Sequence, residues 1–267
     1  MKVKSLLAAF FSIIYFAAFG QADRALSLLS IEKPVFHTSI DRLGNFYFLS
    51  EGMLTKTDGD GKVLAVRKDS IFKEGTFLEA WNPLRIILHH RRKHAGLLLG
   101  QNLESYQESV NIDPAFALAP LLIGNGLRSE LVWVLDEDYS LKEIDLANMR
   151  MLTESPSIFN AEEKRNFFAL RLYQNFLFLL EKDKGLHILS RTGKLLRTIA
   201  TPFPVFGVLG EDFYYREQDQ LTFEDIYSGD RYSVPLPENG EQVIASDERL
   251  VLVRGNKISF FKFQPKQ

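Results

Sequence analysis

Gly44-Asn45-Phe46-Tyr47-Phe48-Leu49-Ser50-Glu51-Gly52-Met53-Leu54-Thr55-Lys56-Thr57-Asp58-Gly59-Asp60-Gly61-Lys62-Val63-Leu64-Ala65-Val66 reads as three short strands joined by two tight turns. Phe46–Leu49 is apolar at every position, as a strand buried between two layers must be. Glu51-Gly52 makes one turn and Asp58-Gly59-Asp60-Gly61 the other, with glycine where a positive φ is needed. Met53–Thr57 is half polar, and Val63–Val66 follows the second turn. The rest of the chain reads as degenerate copies of this unit.

The most apolar strand of each copy marks the repeat: Phe46–Leu49, Arg85–Leu88, Val132–Leu135, Leu177–Leu180, Phe213–Tyr215 and Val251–Val253. Their starts lie 39, 47, 45, 36 and 38 residues apart, a mean of 41. Four-stranded propeller blades repeat at roughly 40–45 residues. The expected fold is all-β, a six-bladed β-propeller with four-stranded blades. Turn chemistry agrees. Arg191-Thr192-Gly193 and Ser228-Gly229-Asp230 fall at outer turns, and Asp183-Lys184-Gly185 and Gly255-Asn256 at the turns between second and third strands.

The sixth unit offers only three strands: Gln242–Ser246, Leu250–Val253 and Lys257–Phe263. An orphan apolar run, Ala25–Ile31, precedes the first inner strand and ends before Pro34. A ring of sheets stays open at one seam unless first and last segments pair. Ala25–Ile31 is therefore expected to be the outer strand of the last blade, beside Lys257–Phe263, burying Leu26, Leu28, Leu29 and Ile31. At about 1.5–3 kcal/mol for each side chain, that burial would rival the stability of a whole domain.

The pattern resembles the six-bladed propellers of the NHL and TolB-like kind over roughly residues 25–267. Gly44-Asn45-Phe46-Tyr47-Phe48 is similar to the glycine-asparagine-x-tyrosine-valine opening of an NHL blade. The tryptophan-aspartate ending of WD repeats and the tryptophan-docking signature of quinone-dehydrogenase blades are both missing.

Residues 1–20 read as a secretory signal peptide: Lys2 and Lys4, an apolar run from Leu6 to Phe19, and small residues in Ala18-Phe19-Gly20. The alternative is an uncleaved anchor, for which the run is short. Residues 21–267 would then form one propeller domain. Without the leader the chain carries 30 basic and 34 acidic residues, a net charge of −4. Nucleic acid needs a cationic face, so it is not an expected partner. There is no cysteine. An exported chain without disulfides must rest on a large core, and it has neither a thiolate metal site nor a lipoprotein anchor. The expected setting is the bacterial periplasm or cell surface. The protein is expected to be monomeric, with no stable membrane insertion after cleavage.

His89-His90-Arg91-Arg92-Lys93-His94 is the most unusual stretch, holding three of the five histidines. It falls at the turn between the second and third strands of the second blade. Such turns share a rim with the connections between blades, so it should lie near the insertion Ser155–Asn166, where Asn160 could cap a single helical turn. Clustered arginine and lysine attract phosphate or carboxylate. Zinc through His89, His90 and His94 is the second functional reading, though adjacent strand residues point to opposite faces. The plain alternative is a solvated turn neutralised by its neighbour, Asp136-Glu137-Asp138. Asp58-Gly59-Asp60-Gly61 lacks the further ligands of a calcium loop and reads as a hairpin turn. Trp81-Asn82-Pro83 is a turn whose tryptophan either lids the core or anchors a partner.

The sequence assigns no catalytic residue, no metal ligand and no cofactor. Asp41, Glu79, Asn125 and Asp247 are polar and near inner-strand ends, and most are expected to serve turns. The expected function is a non-catalytic binding platform for an envelope protein, peptide or glycan, using His89, His90, Arg91, Arg92, Lys93, His94, Asp136, Glu137 and Asp138. The different-class alternative is a metal-dependent hydrolase or lactonase using the central channel. It requires three or more carboxylate or amide side chains to converge there, and it rests on analogy of fold.

Overall fold

The computed structural model describes residues 25–90, 95–107, 112, 116–117, 119–200 and 205–265. It is a ring of six antiparallel four-stranded sheets. β1 is Ser27–Ser30. The first blade holds β2 Val35–Ile40, β3 Phe46–Ser50, β4 Met53–Thr57 and β5 Val63–Lys68, from the channel outward. The second holds β6 Thr76–Glu79, β7 Ile86–His90, β8 Ala95–Leu99 and β9 Ser105–Gln107. The third holds β10 Leu122–Asn125, β11 Leu131–Leu135, β12 Leu141–Asp145 and β13 Arg150–Glu154. The fourth holds β14 Phe167–Tyr173, β15 Phe176–Glu181, β16 Gly185–Ser190 and β17 Leu195–Ile199. The fifth holds β18 Phe206–Leu209, β19 Asp212–Glu217, β20 Gln220–Asp225 and β21 Arg231–Pro235. The sixth holds β22 Gln242–Ala245, β23 Arg249–Arg254 and β24 Lys257–Lys262, with β1 as its outer strand.

Burial follows position in the blade. Every residue of β3, β7 and β11 is buried, because a second strand has a neighbouring blade against each face. β5, β13 and β21 alternate between exposed and half-buried residues, because an outer strand is only partly covered by its neighbours. Aromatic side chains fill the wedges between blades. Phe260 of β24 meets Phe46 and Phe48 of β3 edge-on, and Phe178 of β15 meets Phe206 and Phe213 of the fifth blade. Offset and edge-to-face pairs of this kind add to the area they bury.

The ring closes at the expected place. β1 pairs antiparallel with β24, Ser27 opposite Phe260 and Ser30 opposite Lys257. The amide of Ile31 donates to the Asn256 carbonyl at 3.0 Å, and that of Val35 to the Gly255 carbonyl at 2.8 Å. The expected burial is corrected, however. Leu29 and Ile31 pack with Phe46, Phe48, Ile258 and Phe260, while Leu26 is 44% and Leu28 75% exposed. An outer strand has only one covered face, so alternate side chains must face solvent. Half of the expected apolar contribution is absent, and ladder hydrogen bonds share the task.

One further expectation changes. Residues 160–163 form a turn, not a helix: Asn160 Oδ1 accepts the Glu162 amide at 3.1 Å, but no helical ladder follows.

Candidate functional site

The antiparallel blades present two ends. One carries the turns between second and third strands and the connections from blade to blade. The other carries the turns between first and second, and between third and fourth, strands.

On the first end, His89 and His90 close β7 and are buried. His89 Nε2 lies 2.9 Å from the Pro120 carbonyl and donates to it. Arg91, Arg92, Lys93 and His94 lie outside the described residues. Asp136 is buried, and its carboxylate accepts from Ala119 N at 2.8 Å, from Glu137 N at 3.0 Å and from Lys142 Nζ at 2.7 Å. Burial works against the Lys142 charge, but Asp136, with help from Asp138 and Glu154, outweighs it and raises the ammonium pKa. Glu137 and Asp138 are exposed at the tip. Residues 119–120 thus connect the end of β7 to the Asp136–Asp138 turn.

The insertion joins them on the same rim. Ser157 Oγ donates to the Asp138 carbonyl, and the Ile158 amide to the Tyr139 carbonyl at 3.0 Å. Tyr139 Oη donates to the Glu163 carbonyl at 2.7 Å. Arg165 lies over the Phe159 ring, 4.1 Å from its centroid, and binds Glu181 at 2.8 Å. Glu181 in turn holds His187 Nε2 at 2.8 Å, and His187 Nδ1 meets Thr198 Oγ1 at 2.9 Å. Burial lowers the His187 pKa, although Glu181 partly restores it. This network anchors the insertion to the fourth blade. Nothing in the residue types announced it, because its members are far apart in sequence.

The central channel is crossed by side chains that bind one another. Arg171 of β14 reaches Glu79 of β6, with Nη2 3.0 Å and Nε 3.2 Å from Oε2, and touches Ser39 Oγ at 3.4 Å. Thr38 Oγ1 donates to Gln242 Oε1 at 2.9 Å, joining the first and sixth blades. Arg85 Nε donates to Asn125 Oδ1 at 2.8 Å. His37, half-buried beside Phe77, has its pKa lowered to about 4 by burial and by the Arg171 charge. Tyr214 Oη bridges the Ala245 amide and carbonyl at 2.8 and 2.9 Å, and burial pushes its pKa up to about 12.

Of the four polar residues at inner-strand ends, Glu79 and Asn125 are therefore committed to arginines. Asp41 is buried and accepts from the Leu43 and Asn45 amides, from Asn45 Nδ2 and from Tyr47 Oη at 2.8 Å. It is the anchor of the glycine-asparagine-x-tyrosine turn, and Lys56 Nζ sits 3.9 Å away. Burial lowers the Lys56 pKa, offset in part by Asp41 and Glu104. Among the described residues, no group of three His, Asp or Glu side chains is placed to hold a metal.

The second end holds a cleft of about 490 Å³ at the channel mouth. It is formed by the turns Ile40–Gly44, Asp58–Asp60, Val208–Gly210 and Ala245–Arg249, with Trp81. Trp81 packs edge-on against Tyr173 at 5.5 Å and against two apolar clusters, so it lids the core as well as lining the cleft. The sequence marked Asp41, Trp81 and Asp247 singly; only ring closure brings their turns together.

No known protein-family model matches the chain, and no curated protein matches it in sequence.

Proposed function

We propose that the chain is a non-catalytic exported propeller that serves as a binding platform for a protein, peptide or glycan of the cell envelope. The observation that carries this reading is the state of the channel. Its polar side chains are spent on one another through Arg171–Glu79, Thr38–Gln242 and Arg85–Asn125. A hydrolase using the channel needs several carboxylates or amides free to converge on one point, whereas Glu79, Asn125 and Asp41 each have fixed partners. A rigid ring with a committed interior offers its rims and loops for recognition.

The rim of Glu137, Asp138 and residues 155–166 is the first docking surface, with His89 linked to it through residues 119–120. The signal-peptide character of residues 1–20 supports export to the periplasm or surface. The Asp41–Tyr47 turn supports kinship with NHL and TolB-like propellers. A photo-crosslinker placed at Glu137 or Lys164 in the native envelope tests the platform reading. One discrete adduct is expected, reduced by Arg91→Glu/Arg92→Glu. Absence of any adduct, or adducts unchanged by charge reversal, would overturn it.

A further inference from the structure

The cleft at the other end is chemically distinct from the rim. Its volume of about 490 Å³ lies in the ordinary range of small-ligand pockets, roughly 300–1,000 Å³. Its lining includes five carboxylates, Asp41, Asp58, Asp60, Asp247 and Glu248, against two guanidiniums, Arg42 and Arg249. The buried Lys56 behind Asp41 offsets one more charge. The mouth stays net negative.

The carboxylates are not equally available. Asp41 is saturated by the turn it organises. Asp58 accepts the Asp60 and Lys62 amides of its own hairpin. Asp60 binds Arg249 Nη2 at 2.8 Å, and Glu248 lies 3.7 Å from Arg249 Nη1. Arg249 is thereby neutralised from two sides. Asp247 makes no hydrogen bond or ion pair among the described residues, and neither does the Arg42 side chain. Two carboxylates share the single Arg249 guanidinium, so the surplus negative charge on the sixth-blade side lies on Asp247 and, in part, on Glu248. Trp81 adds an apolar aromatic surface to the lining, and its ring is already engaged by the Arg171 guanidinium, 5.5 Å from its centroid.

We propose that this cleft binds an organic cation, a ligand bearing one ammonium or guanidinium group, with Asp247 and Glu248 as its counter-charges. Arg42, on the first-blade side, repels a second cationic group and so limits the ligand to one such group at that end. The source is either a free small amine or an arginine or lysine side chain of a polypeptide. The site stands apart from the rim, so Arg91→Glu/Arg92→Glu leaves it intact.

Calorimetric titration of the full chain with agmatine and, separately, with the peptide Gly-Arg-Gly tests the proposal. Saturable binding of at least one probe is expected, weakening as salt rises. Asp247→Asn/Glu248→Gln should weaken it by about fivefold per charge removed, and Arg42→Gln should tighten it a few-fold. Both substitutions fall on exposed turn residues, so an unchanged melting curve verifies that the fold is intact. Tighter binding of agmatine identifies a free amine, and tighter binding of the peptide a polypeptide side chain. No saturable binding of either probe at millimolar concentration, or affinity unchanged in Asp247→Asn/Glu248→Gln, would overturn it.

Discussion

Arg171 of the fourth blade and Glu79 of the second are joined across the channel, Nη2 to Oε2 at 3.0 Å, past the third blade that separates them in sequence. Both side chains are about nine-tenths buried. Arg171 also reaches Ser39 of the first blade, whose hydroxyl accepts the Ala80 amide at 3.3 Å. One guanidinium thus ties three inner strands together at the axis of the ring.

Removing one partner of this pair leaves the other charged and out of water. Arg171→Met is expected to lower stability by roughly 3–5 kcal/mol, whereas Arg171→Met/Glu79→Leu should lose markedly less. Denaturant unfolding of the two variants checks the difference. Equal losses would mean that volume, not charge, governs the site.

The seam makes a graded prediction. Ile31, just past the end of β1, is nearly buried, whereas Leu28 on β1 is 75% exposed. Ile31→Ala should cost about 2–4 kcal/mol, and Leu28→Ala no more than about 0.5 kcal/mol. Deleting residues 21–33 should abolish the cooperative melt, since β24 then presents an unpaired edge. A deletion variant that melts unchanged would show that the ring does not depend on its first strand.

Gly61 tests the seam from the neighbouring blade. Its φ is +81°, and an added Cβ would fall 2.8 Å from the Phe260 ring and 2.9 Å from Ser27 Oγ. Gly61→Ala should therefore destabilise by about 1–3 kcal/mol, through backbone strain and overpacking together. Thermal melts would register it. The same substitution at Gly52, whose φ is +77° but whose surroundings are open, isolates the strain.

His37 gives a pH dependence. Its folded pKa is lowered to about 4 from an ordinary 6.5, first by burial and then by Arg171. Between those values the unfolded chain binds a proton that the folded protein does not. Stability should be fully present above pH 6.5 and fall as pH drops toward 4, by at most about 1.4 kcal/mol per pH unit from this group. His37→Phe should flatten that limb of the stability curve. An unchanged slope would assign the acid sensitivity to other groups.

The sequence alone determined the architecture because propeller blades are local. Each hairpin is specified by its own alternation and turn residues, as in Phe46–Leu49, Gly52 and Asp58–Gly61, and six such units at a mean spacing of 41 residues count the blades. The missing strand in the sixth unit even located the seam. Local pattern failed where one face of a strand had to be assigned. The run Leu26–Ile31 is apolar at four of six positions, yet only its position at the outer edge of the ring decides that Leu28 faces solvent. The sites were less legible for the same reason. Arg171 and Glu79 are 92 residues apart. The cleft gathers Trp81, Asp247 and the Asp58–Asp60 turn from three blades. Those juxtapositions come from closing the ring, which sets long-range distances that no local spacing encodes.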